Sequence, residues 1–442
     1  MLIPREIGGC LDALEQAGYE AYLVGGCVRD ALLGLTPHDF DICTSALPEQ
    51  TQAVFSGCRL VENGKKHGTI GVVTGAGVVE ITTYRTEGGY GDCRHPDWVE
   101  FVGDLREDLE RRDFTINAMA WSPARGLQDP FGGREDLKNG VLRAVGDPSR
   151  RFREDSLRIL RGVRFAVRFR LTVEEETWQA MVRQAGLMDA LARERVYEEL
   201  CRILPLVTAE DLCRFAPILA AAVPELGPMI GFDQHSPHHA YDLFTHTAHV
   251  VAAVPEELTL RWAALLHDTG KIPCFTQDEN GRGHFYGHAP RGAQIAGEVL
   301  TRLRAPTALR ERAVTLIAQH MTRLEPDRKL LRRALSRLGW EGVEQLLSLQ
   351  EADMISKGTG EHDASDHFTR VREVLSQLRQ EEACFAVRDL AVNGRDLMEL
   401  GLQGADIGLC QRLLLSQVLD ENLPNEKDAL LGYARTWAAT RG

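Results

Sequence analysis

The chain has 442 residues, of which 44% are hydrophobic and 26% charged, which excludes a wholly disordered polymer and suggests about two to four domains. Ten Cys are scattered without a CxxC-type spacing, the pattern of reduced thiols in a cytoplasmic protein. The N-terminus shows no basic leader before an apolar core, and no window approaches about 20 uninterrupted apolar residues, so neither a secretory signal nor a membrane span is expected. The formal net charge of −13 argues by its sum against a nucleic-acid partner. Its distribution argues the other way: Arg143, Arg150, Arg151, Arg153, Arg158, Arg161, Arg164, Arg168 and Arg170 crowd one short stretch, and a basic stripe on an acidic body can bind RNA.

In chain order, residues 1–20 read as a helix with Leu11, Leu14 and Ala17 on one side. Ala21 to Val24 is a short apolar strand running into Gly25-Gly26, and Cys27 to Leu33 is a helix closed by Gly34. Phe40 to Cys43 is a second strand. Ile70 to Val73 and Val78 to Tyr84 are β-branched runs separated by Gly75-Ala76-Gly77, the pattern of a hairpin. This mixed α/β part ends near residue 140. Helices are expected at 154–169, 172–187 and 193–204. A Pro-, Gly- and His-rich stretch at 223–239 reads as a linker. The rest is helical, with a His-rich part to about 360 and a tail punctuated by Gly401 and Gly408. The resulting division is a head at 1–140, a neck at 141–225, a His-rich domain at 226–360 and a tail at 361–442.

The first chemical signal is Gly25-Gly26-Cys27-Val28-Arg29-Asp30, followed by Asp39-Phe40-Asp41. Paired glycines after a strand let the backbone approach a ligand, and the next helix offers free N–H groups to an anion. Arg29, in its first turn, can reach a triphosphate oxygen. On a strand, Asp39 and Asp41 share a face while Phe40 points to the core. Two carboxylates so placed suit a pair of Mg²⁺ ions, and Glu80 is the candidate third carboxylate. The sequence is not a Walker P-loop, because Gly270-Lys271 is followed by Ile272.

Further along, Arg111-Arg112-Asp113-Phe114-Thr115-Ile116-Asn117 offers Arg112 to phosphate, and Asp113 and Asn117 to a ribose. Glu154-Asp155-Ser156-Leu157-Arg158 opens a helix on which Asp155 and Arg158, three apart, are neighbours. An acceptor beside a donor fork matches the Watson–Crick edge of cytosine or adenine, whose amino groups donate. Uracil and guanine present the wrong pattern. Arg161 and Arg164 continue at three-residue steps, with Arg164 nearer the apolar side.

GGCVRD with DFD, then RRDFTINA, then EDSLR with Arg161 and Arg164, resemble the motifs of the bacterial-type (class II) CCA-adding enzyme and poly(A) polymerase family, over roughly residues 20–200. The resemblance implies an α+β head of polymerase-β nucleotidyltransferase type, followed by a mostly α-helical neck, body and tail. It implies Mg²⁺ on Asp39 and Asp41, and contacts from Gly26, Arg29, Arg112, Asp155, Arg158, Arg161 and Arg164 to ATP or CTP. Thr86 to Val102 resembles the family's flexible loop, which favours full CCA addition.

The second signal is histidine: nine of the fourteen His fall at His235, His238, His239, His246, His249, His267, His284, His288 and His320. At its centre an apolar run, Ala263 to Leu266, ends in His267-Asp268 and then Gly270. Adjacent imidazole and carboxylate can bind one divalent transition metal or bridge two, and a metal-acidified water can hydrolyse a phosphate ester. This resembles the HD phosphohydrolase domain, which implies ligands in the order His246, His267, Asp268, His288, His320 and Asp353, with His284 assisting.

The expected activity is addition of CCA to the 3′ end of tRNA from CTP and ATP without a template, releasing pyrophosphate. The expected partners are the tRNA acceptor arm and the two nucleotides, with no membrane, in a monomer or homodimer. Two rivals use the same residues differently. One is a poly(A) polymerase using ATP alone, and the other is an RNA-binding protein with an inert head and a working HD hydrolase.

Overall fold

The computed structural model describes the chain except residues 1–2, 38, 76, 89–97, 238, 359–363, 382–383 and 441–442. Two compact units divide it, Met1–Gly227 and Pro228–Gly442.

The first unit opens with α1 (Arg5–Gln16), whose Ile7, Cys10, Leu11 and Leu14 are buried on one stripe. The strand β1 (Ala21–Val24) is buried at all four positions. Gly25 follows at φ 77°, a conformation an L side chain resists, and turns the chain into α2 (Gly26–Leu32). After β2 (Asp41–Thr44) and α3 (Pro48–Val54) come β3 (Leu60–Val61), β4 (Thr69–Thr74) and β5 (Gly77–Thr83). The short β6 (Arg85–Gly88) and β7 (Trp98–Phe101) pair as a separate hairpin, and α4 (Leu105–Glu110), β8 (Ala120–Ser122), β9 (Gly126–Gln128) and α5 (Gly133–Lys138) complete the head. The main sheet has the order β3-β4-β5-β2-β1-β8-β9. β1 is antiparallel to both its neighbours, whereas β2 and β5 run parallel and set Asp41 opposite Glu80.

The helical part is laid out by α6 (Pro148–Glu154), α7 (Leu157–Phe169), α8 (Glu175–Gln184), α9 (Arg193–Ile203) and α10 (Ala209–Ala222). Three expectations need correction. β2 begins at Asp41, so Asp39 and Phe40 precede it; β1 ends at Val24, the partner of Asp41, and offers nothing further to pair. Phe40 is half-buried and does not reach the core. The expected helix 154–169 is broken at Asp155, whose backbone is extended at φ −144° and ψ 103°. The expected helix 172–187 is shorter because Glu174 caps α8, accepting from the Thr177 N–H, and Thr172–Val173 pairs with Val141–Leu142. The hairpin expected from Ile70–Val73 and Val78–Tyr84 is present as β4 and β5.

The second unit is helical. α11 (Leu243–Ala253) and α12 (Leu258–Leu266) lead to the short α13 (Lys271–Cys274), then α14 (His288–Arg302), α15 (Thr307–Gln319), α16 (Arg328–Ile355) and α17 (Ala364–Gln380). α12 is buried all round from Leu260 to Leu266, as a central helix must be, and it delivers His267 and Asp268 into the interior. α16 kinks at Gly339, φ 72°. The last helices, α18 (Gly394–Met398), α19 (Ala405–Leu419) and α20 (Lys427–Ala439), close on a small core around Leu397, Cys410, Leu414 and Leu430.

Candidate active site and metal centre

In the first unit the carboxylates converge where β2 and β5 run side by side. The register places Asp41 and Glu80 on one face. Asp39 lies beside Asp41 in the segment before β2, and the three line one cavity of about 670 Å³. Protein packed around the Asp41 carboxyl raises its pKa; Glu80 and Asp39 add to the rise, and the Arg112 charge opposes it. Three carboxylates that repel one another in this way form an all-oxygen donor set, which fits hard divalent cations such as Mg²⁺.

Asp41 also borders a second cavity of about 430 Å³, to which Gly25, Gly26, Arg29, Arg112, Asp113, Asn117, Asp155, Arg158, Arg161 and Arg164 all contribute. The structure therefore brings the catalytic and nucleotide-binding candidates named from sequence to two cavities that share Asp41. A Cβ on Gly25 would sit 3.0 Å from Arg112 Nη1, and the positive φ there already favours glycine. Arg112 is tied to buried Asp108 at 3.4 Å, while its Nε is buried without a partner.

Asp113 and Asn117 are placed differently from the expected ribose readers. Both are buried in a continuous chain of polar contacts. Arg29 Nη1 donates to Asn117 Oδ1 at 2.6 Å, Asn117 Nδ2 donates to Asp113 Oδ1 at 2.9 Å, and Arg161 donates twice to Asp113 Oδ2 at 2.8 and 2.6 Å. Burial alone would push Asp113 up, but Arg161 and Asn117 outweigh it and hold the carboxyl at about 2. Arg29 is also paired with Asp30 at 2.7 Å and lies 4.5 Å above the centre of the Phe169 ring. These contacts tie the residues of the cavity wall to one another.

Nor do Asp155 and Arg158 face each other as a helical pair. The break at Asp155 turns its carboxylate to Leu157 N–H through Oδ1, at 3.0 Å, and to Arg195 Nη2 through Oδ2, also at 3.0 Å. Arg158 donates to Glu154 at 2.9 Å and to the Arg151 and Arg111 carbonyls. Both side chains still border the cavity. Arg164 donates to buried Glu199 at 2.7 Å, consistent with its position toward the apolar side. Sequence reading missed Arg195, which lines the same cavity and keeps Nη1 buried without a partner. Its only signal was an Arg in a helix far along the chain. The ends of the expected flexible loop form β6 and β7, and residues 89–97 lie outside the described residues.

In the second unit, His246, His267 and Asp268 present ligand atoms within 4.8 Å of one another, as do Asp268, His288 and His320. Asp268 belongs to both groups. Asp353 approaches His246 Nε2 to 3.0 Å and His267 Nε2 to 3.8 Å. Every expected ligand is thus in one cluster. The outer ring nitrogens are fixed by carbonyls: His267 Nδ1 by Ala264, His288 Nδ1 by Phe285 and His320 Nδ1 by Ile317, which leaves each Nε2 turned inward. His267 Nε2 is buried with no hydrogen-bond partner. Burial opposes charge on His267, yet Asp268 and Asp353 override it and hold the imidazolium up to about 10. Buried Asp268 and half-buried Asp353 among these imidazoles make a set of N and O donors that fits a divalent transition metal. Gly270 makes the packing possible, since a Cβ there would lie 2.1 Å from the His288 carbonyl. His284 sits at the rim, paired with Asp278 at 3.0 Å. Among residues outside the expected set, Lys271 holds Asp268 at 2.8 Å and His239 lines the adjoining cavity.

The fold and these two sites define a nucleotidyltransferase-type head joined to an HD-type metal domain. The family profile described as "Poly A polymerase head domain" matches residues 21–143, "HD domain" matches 239–356, and "Probable RNA and SrmB- binding site of polymerase A" matches 170–211. The CCA-adding enzyme of Levilactobacillus brevis is 36% identical over 95% of this chain and 95% of its own, and that of Latilactobacillus sakei 33% identical over 96% of each. A crystal structure of the Bacillus stearothermophilus CCA-adding enzyme in complex with CTP covers 100% of this chain and 99% of that one, at TM-score 0.71 and 28% identity. The chain belongs to the CCA-adding enzyme family.

Proposed function

We propose that this protein adds CCA to the 3′ end of tRNA from CTP and ATP, without a nucleic-acid template, and works in the cytoplasm on the tRNA acceptor arm. One observation carries the reading: Asp41, aligned with Glu80 across two parallel strands, borders both the carboxylate cluster and the arginine-lined cavity. The domain division that goes with it is head 1–140, neck 141–225, HD domain 226–360 and tail 361–442.

Asp39 and Asp41, with Glu80 beside them, would hold Mg²⁺, which when bound supplies charge neutralisation at the reacting phosphate. Gly25 and Gly26 let the backbone approach the triphosphate, and Arg29 and Arg112 face its charge. The oxygen of the tRNA 3′ hydroxyl bonds to the α-phosphorus. The bond from that phosphorus to the bridging oxygen breaks, pyrophosphate leaves with the electron pair, and the hydroxyl proton passes to water. Asp155, held by Arg195 and the Leu157 N–H, presents a fixed acceptor to the amino group of cytosine or adenine, and Arg158 supplies donors beside it. At the HD centre His246, His267, Asp268, His288, His320 and Asp353 would hold a divalent transition metal, with a phosphate ester as substrate.

The test is incubation of the protein with tRNA lacking its CCA end, Mg²⁺ and each labelled nucleotide in turn. CMP and then AMP should be incorporated, and Asp41→Ala should lose at least roughly a thousandfold in rate. Incorporation of AMP alone would identify a poly(A) polymerase. Unchanged incorporation by the Asp41→Ala variant would leave the head without a catalytic role.

A further inference from the structure

The cavity beside the histidine cluster of the second unit, about 280 Å³, holds more than metal ligands. Lys271 and Lys357 line it and add positive charge. The two are not equivalent. Lys271 is taken up by Asp268 at 2.8 Å and by Gln234 Oε1 at 2.9 Å, whereas Lys357 makes no ion pair among the described residues. The Lys357 carbonyl accepts from the Ala240 N–H at 2.9 Å, which fixes the backbone that carries the ammonium. His239 also lines the cavity, with its Nδ1 buried and unpartnered. An uncommitted ammonium beside a metal-ligand cluster suits a phosphate group. Tyr286 and Met321 line the same cavity while 80% and 60% exposed, so they stand at its mouth. The Tyr286 ring lies parallel to the His284 imidazole, with 8° between the planes and 5.4 Å between centroids, and His284 Nε2 is held by Asp278 at 3.0 Å. An exposed aromatic ring is thus supported on one side and left open to solvent on the other.

We infer that this cavity takes a nucleoside monophosphate group, with Tyr286 as the platform for its base and Lys357 as a holder of its phosphate. This rests on the HD reading above and names the kind of phosphate ester that site receives. Size supports the choice. Sites that enclose a whole ligand run to roughly 300–1,000 Å³, and a cavity of about 280 Å³ is filled by a phosphate and its sugar. A base joined to that sugar then lies at the mouth, where the open face of Tyr286 stands. Aromatic rings stack on any base, because every base has a flat π-face. A sugar phosphate without a base would leave the ring in water. His284, expected from sequence to assist the metal, is accounted for as the support of that ring.

The experiment is calorimetric titration of the Ni²⁺-loaded protein with AMP and with ribose 5-phosphate, two ligands that differ only by the base. The same titrations of His267→Ala, whose metal cluster is broken, report ligand held elsewhere on the chain and are subtracted. AMP should bind roughly tenfold more tightly than ribose 5-phosphate. Tyr286→Ala should abolish that preference and Tyr286→Phe should keep it, since the ring and not the hydroxyl carries the contact. Lys357→Ala should weaken both ligands roughly tenfold, because it acts on the phosphate they share. A short RNA ending in a 3′-phosphate, set against its AMP arm, tells a chain end from a free nucleotide, and a base-dependent preference in either arm supports the site. Equal binding with and without the base in both arms overturns the inference. So does a preference that survives Tyr286→Ala, or one that Tyr286→Phe also loses. Failure of the unmodified protein to bind Ni²⁺ more tightly than His267→Ala is a different result, which sinks the HD reading and the inference with it.

Discussion

Asp113 shows how a single buried carboxylate ties the head to the helix that follows. Its oxygens take hydrogen bonds from Asn117 and Arg161, and those charges hold it at about 2 despite burial. The folded value lies below the unfolded value of about 3.9, so the ionised form is stabilised by folding. That contribution is complete above about pH 4 and fades as the pH falls through about 2. Asp113→Asn should therefore cost about 2 kcal/mol of unfolding free energy at neutral pH, with the difference from the unmodified protein shrinking toward pH 2. Chemical denaturation at a series of pH values checks this, and a pH-independent difference would contradict it. The motif was legible as chemistry, but the ion pair it makes was not. Whether an Asp faces a ligand or a neighbouring Arg depends on Arg161, which lies 48 residues away in the chain.

At the scale of elements, the turn between β1 and α2 matters most. Gly25 has φ 77°, and an added Cβ would meet Arg112 Nη1 at 3.0 Å. Gly25→Ala therefore adds backbone strain of about 1–3 kcal/mol and shifts the Arg112 guanidinium by a few tenths of an ångström at the wall of the arginine-lined cavity. Steady-state kinetics should show kcat/KM for CTP falling about tenfold or more, with only a few degrees lost in Tm. A loss confined to stability would mean that Arg112 does not serve the nucleotide. The paired glycines announced this turn, and β-branched runs announced β4 and β5. The break before α7 was not announced. Propensity and periodicity run smoothly through residues 154–169, and it is the cap on Leu157 and the pull of Arg195 that hold Asp155 extended.

Over the whole molecule, the two candidate sites fall one in each unit. No helix among the described residues is long and apolar enough to cross a membrane. In the second unit, a divalent ion at His246, His267, Asp268 and their neighbours should stabilise the folded state by about 2.7 kcal/mol at a concentration 100 times its Kd. His267 must give up a proton held up to about 10, so the effect should weaken as the pH falls and binding should release protons. Calorimetry with Mn²⁺ or Ni²⁺ would show the shift in the unmodified protein and its loss in His267→Ala. An equal shift in that variant would place the ion elsewhere.

The sequence by itself determined the chemistry on offer: the glycine pair, the carboxylates, the arginine run and the ordered histidines. It also determined β1, β2, β4 and β5 and, in outline, the helices, because periodic burial is written into neighbouring residues. Only the tertiary structure decided who faces whom. It set Asp41 against Glu80 through a parallel register and gave Asp155 to Arg195 rather than Arg158. It also gathered Asp353 into a cluster begun more than a hundred residues earlier at His246. Such pairings join side chains whose separation in the chain carries no local signal, and only the packing of the elements between them brings the atoms within reach.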